Sequence, residues 1–384
     1  MTTTTTDSTI ANPGLDGVIA AETSLSSVDG EAGELLVAGY PIEEIATRSS
    51  FEEMLFALWY GSLPDRSELT AFRSDLAGRR PIAPLAIELV RAASASEPMD
   101  ALRFVAGTLS LHGPRDDDSS ARDLVSAFPT IVATWWRLRQ GLDPVEPRSD
   151  LGHAENFLFM LTGEIPDPER TRGLDTYLNT VIDHGLNAST FTARVIASTG
   201  SDLFSAVAGA LGALKGPLHG GAPGPALDLV FEIGSSERAE QVLRSKIAAG
   251  ERLMGFGHRV YRVRDPRADV LAAAAERLFR SGGDIRLYNL ARSVEATALR
   301  VLEEHKPGRR LQTNVEFYTA LLLHGLGLQP ALFTPVFAMS RVGGWAAHCF
   351  EQRQCARIMR PQSLYRGARD RKWAEIGDRR QAGD

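Results

Sequence analysis

One short stretch gathers the densest set of chemistry-bearing side chains in the chain: GFGHRVYRVRDPR, residues 255–267. Gly255 and Gly257 lead into His258, and because glycine lacks a Cβ, the backbone can approach a ligand closely there. This pattern favours a binding or catalytic loop built around His258. A turn that carries solvated arginines is the alternative interpretation, and other parts of the chain must decide between the two.

The end of the same stretch predicts the start of a helix. Asp265 is typical of an N-cap and Pro266 of a first helical residue, ahead of an alanine-rich run. Arg267 then lies in the first helical turn, where the positive end of the helix dipole disfavours a cation. We therefore expect Arg267 to meet a bound anion.

The composition is that of an ordinary globular protein. The chain has 384 residues, of which 43% are hydrophobic and 23% charged, and its formal net charge is −6. This length suits one large or two ordinary domains, and without a basic excess no nucleic-acid partner is expected. No apolar run reaches the ~18 residues that a membrane span needs, so no membrane partner is expected either.

Cysteine usage and the first residues indicate the compartment. Cys349 and Cys355 are the only cysteines, and they provide neither a disulfide framework nor the spacing of a metal site. The threonine-rich start lacks the basic and apolar segments of a signal peptide, so residues 1–13 are predicted to be a flexible tail. We expect a reducing, cytoplasmic location.

Helical patterns dominate the chain after a short entry segment. Residues 14–40 mix apolar alternation with glycines, which predicts an irregular or β-hairpin segment. Ser50 and Glu53 form a predicted capping box, and strand signals are scarce beyond it. The predicted fold class is therefore mainly α. The small residues of 205–213 predict close helix packing, either in the core or across a subunit interface.

Three of the eight histidines stand in polar contexts that contain glycine: His184, His219 and His258. No His-x-x-x-His or Cys-x-x-Cys spacing occurs, so no metal site is predicted. The chain also lacks the Gly-x-Ser-x-Gly elbow and the Walker loop, which are the usual signatures of acyl-serine and P-loop chemistry. The remaining candidates are separated histidines, carboxylates and arginines.

Two further residues qualify for such chemistry. Glu316 follows Asn314, a predicted N-cap, so the positive helix end is expected to keep the Glu316 carboxylate ionised and ready to act as a base. An ordinary first-turn glutamate is the alternative. Arg341 stands among apolar residues, where an unpaired charge is costly, and it needs a carboxylate partner from the protein or from a substrate.

Several motifs occur together and in order. They are GPLHGGA at 216–222, GFGHRVY and DPR within 255–267, NVEFY at 314–318, Ser340-Arg341, and Arg360-Pro361. This combination closely resembles the citrate synthase family, and the resemblance extends over nearly the whole chain. It implies a two-lobed, all-helical fold in which a large domain, residues 1–219 and 327–384, carries an inserted small domain, residues 220–326. A homodimer is also implied.

The resemblance further implies an acyltransferase of the tricarboxylic acid cycle that converts an acyl group to an alkyl group on transfer. Acetyl-CoA would condense with oxaloacetate and water to give citrate and CoA, with no metal or other cofactor. The α-hydrogens of a thioester are weakly acidic, so removing one needs a positioned base and a hydrogen-bond donor for the enolate oxygen. By motif, Glu316 is the base, His219 is the donor, and His258 polarises the oxaloacetate carbonyl.

The resemblance also implies which residues hold the substrates. Oxaloacetate would be bound by His184, Arg267, Arg341 and Arg360, the last of them reaching in from the second subunit. CoA would be bound by Arg262, Arg264, Gly255 and Gly257. Arginine suits these roles because its planar fork matches the geometry of carboxylates and phosphates.

Two departures from the family pattern leave alternatives open. Glu316 stands where the family has aspartate, and catalytic geometry is sensitive to shifts of about 1 Å. Pro223-Gly224 replaces the common Asn-Glu pair beside the His219 turn. One alternative is a 2-methylcitrate synthase that uses propanoyl-CoA, because one methylene is worth only ~1–3 kcal/mol of discrimination. The other is a non-catalytic paralogue that binds CoA or dicarboxylates.

Overall fold

The structure is a computed structural model, and it describes residues 12, 14–113, 115–220, 223–258, 260–282, 284–373 and 375–376. The flexible tail predicted for 1–13 falls almost wholly outside the described residues, as do Gly221, Ala222 and Arg259 of the predicted motifs. The chain divides into two compact units. One is Thr23–Ile358, and the other, here called the terminal unit, is Met1–Glu22 with Met359–Asp384.

Helices dominate the described residues, which confirms the predicted fold class. Sixteen α-helices occur in this part of the chain: α1 Ile42–Arg48, α2 Phe51–Tyr60, α3 Arg66–Gly78, α4 Pro84–Ala92, α5 Pro98–Thr108, α6 Asp117–Arg139, α7 His153–Thr162, α8 Pro168–Val181, α9 Ala188–Ser198, α10 Leu203–Leu214, α11 Pro223–Ile233, α12 Ser236–Ala248, α13 Pro266–Ser281, α14 Ile285–His305, α15 Val315–Gly325 and α16 Phe333–Cys355. Two short 3₁₀ turns, Leu109–His112 and Pro330–Leu332, precede α6 and α16.

The strands lie in one small antiparallel sheet near the start of the described chain. They are β1 Ser26–Asp29, β2 Glu34–Val37 and β3 Tyr40–Pro41, in the order β1-β2-β3. Val28 pairs with Leu35 between the first two strands, and Val37 pairs with Tyr40 at the tight turn into β3. This sheet confirms the hairpin predicted within 14–40.

Local sequence signals decide where several helices begin. The predicted capping box at Ser50 is present at the start of α2. Asp265 caps α13 by accepting the backbone N–H of Arg267, and Asn314 caps α15 by accepting the backbone N–H of Glu316. Such caps satisfy N–H groups that have no partner within the helix. Arg267 and Glu316 therefore lie in first helical turns, as predicted.

The long helix α16 is buried along most of its length in the larger unit. It packs against α6, α8, α9 and α10. The small residues of 205–213 lie in α10, which packs against α5, α9 and α16 as a core helix. Helix α13 packs against α15 and also against α1 and α8. The inserted small domain over 220–326 stays a prediction.

Among the described residues, no single helix is both long and apolar enough to cross a membrane. The helix α15 and the segment Pro330–Cys355 reach that length and composition only as a pair, across a bend of 119°. In this structure both members of the pair bury most of their side chains in the protein.

Candidate active site

Backbone pairing places the predicted histidine loop beside the start of α15. The N–H of Gly257 donates to the carbonyl of Gln312 at 2.7 Å, and the N–H of Asn314 donates to the carbonyl of Gly255 at 3.0 Å. Gly255 and Gly257 have φ values of 90° and 85°, a region that favours glycine. A Cβ on Gly255 would also lie 2.9 Å from Cδ2 of Phe317. Both glycines therefore serve the close packing of this loop.

The backbone holds His258 in one neutral form. Its Nδ1 accepts the N–H groups of Val260 and Tyr261, each at 3.0 Å, so the hydrogen of the neutral ring is on Nε2. Burial lowers the pKa of His258 to about 4, and the charge of Arg267 acts in the same direction. Nε2 lies 3.4 Å from Nη2 of Arg267. Because both groups are donors, they can converge on an acceptor oxygen of a ligand.

Arg267 has a protein partner that the helix-dipole argument leaves out. Its Nε and Nη2 donate to the two carboxylate oxygens of Asp265 at 3.0 and 2.8 Å. The pair is buried, with 5% of the Arg267 side chain and 0% of the Asp265 side chain exposed. Asp265 thus compensates the charge that we expected an anion to meet, and only part of the guanidinium remains available to a ligand.

Glu316 differs from an ordinary first-turn glutamate. Burial raises the pKa of Glu316 to about 7, although the charges of Arg267 and Arg341 act to lower it. The sequence predicted that the positive helix end keeps this carboxylate ionised, whereas burial raises its pKa to the point where it is only partly ionised at pH 7. Its backbone N–H donates to Asn314, and no described side chain hydrogen-bonds to the carboxylate. A carboxylate with a pKa near 7 can take up and return a proton at neutral pH.

His184 reaches the same place from the segment that follows α8. The ring centroids of His184 and His258 are 5.8 Å apart. Tyr261 contacts both histidines: its hydroxyl lies 3.2 Å from Nε2 of His184, and its ring centroid lies 4.8 Å from that of His258. Burial lowers the pKa of His184 well below its usual value, and the charges of Arg267 and Arg341 add to this effect. His184 is therefore neutral at pH 7.

His219 is held in the opposite tautomer to His258. The backbone N–H of Ser189 donates to Nε2 of His219 at 3.3 Å, so the hydrogen of the neutral ring is on Nδ1. Burial lowers the pKa of His219 to about 4, and Arg341 acts in the same direction. Oγ of Ser189 lies 2.8 Å from the same Nε2 and accepts the indole N–H of Trp345 at 3.1 Å. A chain of contacts from α16 thus orients the imidazole.

Arg341 is a buried cation on α16, with only 2% of the residue exposed. Its Nε donates to the carbonyl of Val181 at 2.8 Å, and its guanidinium lies 4.6 Å from the ring centroid of Phe337. Burial lowers the pKa of Arg341 to about 10. No carboxylate of the described residues lies within the 4.0 Å of an ion pair with it. The sequence predicted a carboxylate partner from the protein or from a substrate. The described residues leave the substrate carboxylate as the candidate.

A cavity of about 520 Å³ opens beside His258, and Arg262, Arg309 and Arg310 line it. Arg262 is exposed, and its Nε lies 4.0 Å from Oε1 of Glu31. Three arginines around one cavity favour an anionic ligand such as a phosphate.

Arg264, the other predicted CoA-binding arginine, is engaged within the protein. Its Nε donates to Asp269 at 2.5 Å, and its Nη1 donates to Glu295 at 2.7 Å. A CoA phosphate would have to compete with both carboxylates, so Arg262 is the better placed of the two predicted arginines.

The remaining predicted residue, Arg360, lies in the terminal unit and is exposed. Three further residues contribute to the site beyond those that the motifs predicted: Tyr261, Ser189 and Trp345. Tyr261 had a signal, because its ring lies inside the glycine-bearing loop. Ser189 and Trp345 had none, because α9 and α16 meet His219 only in the folded chain.

This chain is similar to known proteins over nearly its full length. Residues 14–362 match the family model described as citrate synthase, C-terminal domain. A citrate synthase of Haloferax volcanii is 39% identical over 379 residues, which cover 95% of this chain and 98% of that protein. A 2-methylcitrate synthase of Mycobacterium tuberculosis is 38% identical over 371 residues, which cover 93% of this chain and 91% of that protein.

The fold of this chain is also similar to that of a solved structure. It is the ternary complex of carboxymethyl-coenzyme A and oxaloacetate with citrate synthase from the thermophilic archaeon Thermoplasma acidophilum. The match has a TM-score of 0.87 and 29% sequence identity, and it covers 95% of this chain and 98% of that chain. The fold, the family model and the relatives thus all confirm the predicted resemblance, and this chain belongs to the citrate synthase family of condensing enzymes.

Proposed function

We propose that this protein condenses acetyl-CoA with oxaloacetate and water to give citrate and CoA. The observation that carries the proposal is the pairing of two neutral imidazole donors with a carboxyl group whose pKa lies close to neutral pH. His219 and His258 are each held in one tautomer by the backbone, and the pKa of Glu316 is about 7. These are the donors and the base that a reaction through a thioester enolate needs.

The first step is removal of an α-proton from the acetyl group. Glu316 takes the proton, and the Nδ1–H of His219 hydrogen-bonds to the thioester oxygen as negative charge develops on it. A neutral donor avoids a full cation in the pocket, and triosephosphate isomerase polarises its substrate carbonyl with a neutral histidine in the same way. The low pKa of His219, about 4, supports this form at neutral pH.

In the second step the α-carbon of the enolate forms a bond to the ketone carbon of oxaloacetate. The ketone oxygen takes its proton from Nε2 of His258, with the adjacent guanidinium of Arg267 as a second donor. Water then attacks the thioester carbonyl, and one of its protons returns to Nε2 of His258. The proton held by Glu316 passes to the departing sulfur as the C–S bond breaks. The new carboxyl group ionises to solvent, and CoA and citrate leave with both catalytic groups restored. The balance needs no oxidant or reductant, and the N–H groups of His219 and His258 supply the stabilisation of charge on oxygen, so we propose no metal and no other cofactor.

The oxaloacetate carboxylates are bound by Arg341, by His184 and by the open side of Arg267. The role of Arg341 is supported by its burial without an ion-pair partner among the described carboxylates. Arg360 completes the set from the partner subunit of a homodimer, a proposal that rests on the family motif. A cytoplasmic enzyme of the tricarboxylic acid cycle fits this chemistry.

CoA is bound in the arginine-lined cavity beside His258, with Arg262 contacting a phosphate. Gly255 and Gly257 hold the loop at its edge, and Arg264 has at most a secondary part. Support comes from the Thermoplasma acidophilum complex, whose bound molecules are a CoA derivative and oxaloacetate.

Propanoyl-CoA is the alternative acyl donor. A 2-methylcitrate synthase is 38% identical to this chain and a citrate synthase 39%, so overall identity does not separate the two. The extra methyl group is bonded to the α-carbon from which Glu316 takes the proton. We expect a base one methylene longer than aspartate to leave less room for that methyl group, which favours acetyl-CoA.

Thiol release by the purified protein tests the proposal. Oxaloacetate is supplied with acetyl-CoA or with propanoyl-CoA, and free CoA is followed by a thiol reagent. We expect release with acetyl-CoA that exceeds release with propanoyl-CoA, and none from Glu316→Gln, which keeps the shape of the side chain but cannot take a proton. Folded protein that binds oxaloacetate but releases no thiol with either donor would indicate the non-catalytic paralogue.

A further inference from the structure

One face of α16 lies against the segment that carries His184. Arg341, Gly344, Trp345 and His348 follow one another at spacings that keep them on one side of the helix. A Cβ on Gly344 would lie 2.2 Å from the carbonyl oxygen of Ile182. Glycine at this position therefore allows the helix and the segment to touch backbone to backbone.

His348 is fully buried on this face, and each of its ring nitrogens has a hydrogen-bond partner. Nη1 of Arg194 lies 3.0 Å from Nδ1 of His348, and a guanidinium can only donate. The ring hydrogen is therefore on Nε2, which lies 3.1 Å from Oδ1 of Asp183 and donates to it. Arg194 keeps a carboxylate partner of its own, because Nη1 also donates to Glu351 at 2.9 Å.

Asp183 is the residue next to His184, and both of its carboxylate oxygens are occupied. Oδ1 accepts from His348, and Oδ2 accepts the hydroxyl of Ser26 at 2.5 Å and the N–H of Gly185 at 3.3 Å. The side chain is fully buried. These contacts hold a full negative charge in place directly beside the oxaloacetate site.

Arg341 is the cation with which Asp183 could form an ion pair if its hydrogen bond to His348 were lost. Its Nε already donates to the carbonyl of Val181, which is close to Asp183 in the chain. Asp183 is also the carboxylate that acts most strongly on the pKa of Arg341, raising it against the larger effect of burial. Yet the two side chains form no ion pair within 4.0 Å. The Asp183 oxygens are instead bound by His348, Ser26 and Gly185.

We propose that His348 is a positioning residue: its hydrogen bond holds Asp183 away from Arg341 and so reserves the guanidinium for a carboxylate of oxaloacetate. The inference rests on the proposed function only for the identity of the dicarboxylate. Without the imidazole N–H, the Asp183 carboxylate gains by turning to Arg341, since a buried unpaired oxygen is costly. The pair would then neutralise the cation that the substrate needs.

The test is oxaloacetate binding by calorimetry, together with the oxaloacetate KM and kcat where turnover is present. His348→Leu removes the donor while keeping the site apolar and filled. We expect its oxaloacetate affinity to fall about tenfold to hundredfold, the range for loss of a charge-assisted hydrogen bond. We expect kcat at saturation to change by less than about threefold, because the groups that react are untouched.

Two further variants separate positioning from simple loss of packing. His348→Gln can still donate to Asp183, so it should restore most of the affinity. His348→Leu combined with Asp183→Asn should also restore it, because a neutral amide cannot pair with Arg341. Cys349→Ala, at the next position on the same helix and also buried, is the control for disturbed packing and should bind as the wild type does.

The outcomes are distinct. Normal oxaloacetate affinity in His348→Leu would overturn the inference, and so would a double variant that binds no better than His348→Leu. A wild-type protein that binds oxaloacetate without turning it over would defeat the catalytic proposal and leave this inference to be decided by calorimetry. A folded wild type that binds no oxaloacetate would overturn both.

Discussion

The two halves of the candidate site are built in different ways. The loop half consists of His258, Arg267 and Glu316, which come from 255–267 and the start of α15. The contacts that orient its histidine and arginine are short in sequence, such as Asp265 to Arg267 and the backbone of Val260 to His258. Because these hydrogen bonds join residues close in sequence, a motif of this kind can be recognised from the sequence. Long-range backbone pairing, such as Gly257 to Gln312, then joins the loop to the start of α15.

The helix half consists of His184, His219 and Arg341, and its fixing contacts join distant parts of the chain. Trp345 on α16 orients His219 through Ser189 on α9, and 156 residues separate the tryptophan from the serine. His348 reaches Asp183 across 165 residues. One half of the site therefore depends largely on local motifs, and the other half depends on the packing of α16.

The largest effect is expected in the loop half, from His258→Ala. The variant removes the donor to the ketone oxygen, and we expect kcat to fall about 10³-fold, within the range for loss of an acid–base group. CoA release at saturating substrate measures it. The thermal midpoint should change little, because the backbone contacts of Gly257 and Asn314 remain. Near-normal turnover would remove His258 from the mechanism.

The next effect tests whether Glu316 is fitted to its pocket. Glu316→Asp withdraws the carboxylate by one methylene, and a displacement of about 1 Å can cost about 10²-fold in rate. We expect kcat to fall by about that factor while the oxaloacetate KM changes little. The same thiol assay measures both constants. A large rise in rate would show that the longer side chain is not tuned to this site.

A smaller effect is expected in the helix half, from Trp345→Phe. The variant deletes the indole N–H that fixes Ser189, so His219 gains freedom and we expect kcat to fall about tenfold. Trp135→Phe is a matched control, because Trp135 is equally buried and its indole N–H has no hydrogen-bond partner among the described residues. Equal losses in the two variants would mean that the loss reflects packing alone.

The mildest test uses pH in place of substitution. The base must be ionised to act, and the pKa of Glu316 is about 7, so kcat/KM should be about fivefold lower at pH 6 than at pH 7. His219 and His258, with pKa values of about 4, stay neutral over this interval and add no slope. A profile that is flat from pH 8 to pH 6 would contradict the assignment of Glu316.

Local sequence patterns were enough to predict the mainly α fold class, the family, and the start of the helices that present Arg267 and Glu316. Caps, glycines at positive φ and ordered motifs are local, so they act wherever the chain folds. The motifs also named His184, His219 and Arg341, although without the contacts that hold them.

The tautomers and the pKa values of those groups depend on the tertiary structure. The tautomers of His219 and His258 depend on which backbone N–H reaches which ring nitrogen, and the pKa of Glu316 depends on burial that no local pattern records. The N-cap pattern predicted an ionised Glu316, whereas burial raises its pKa to about 7. No local pattern indicated that Asp265 pairs with Arg267. Electrostatic free energy in a buried site depends on distances across the fold, which adjacent residues in the sequence do not specify.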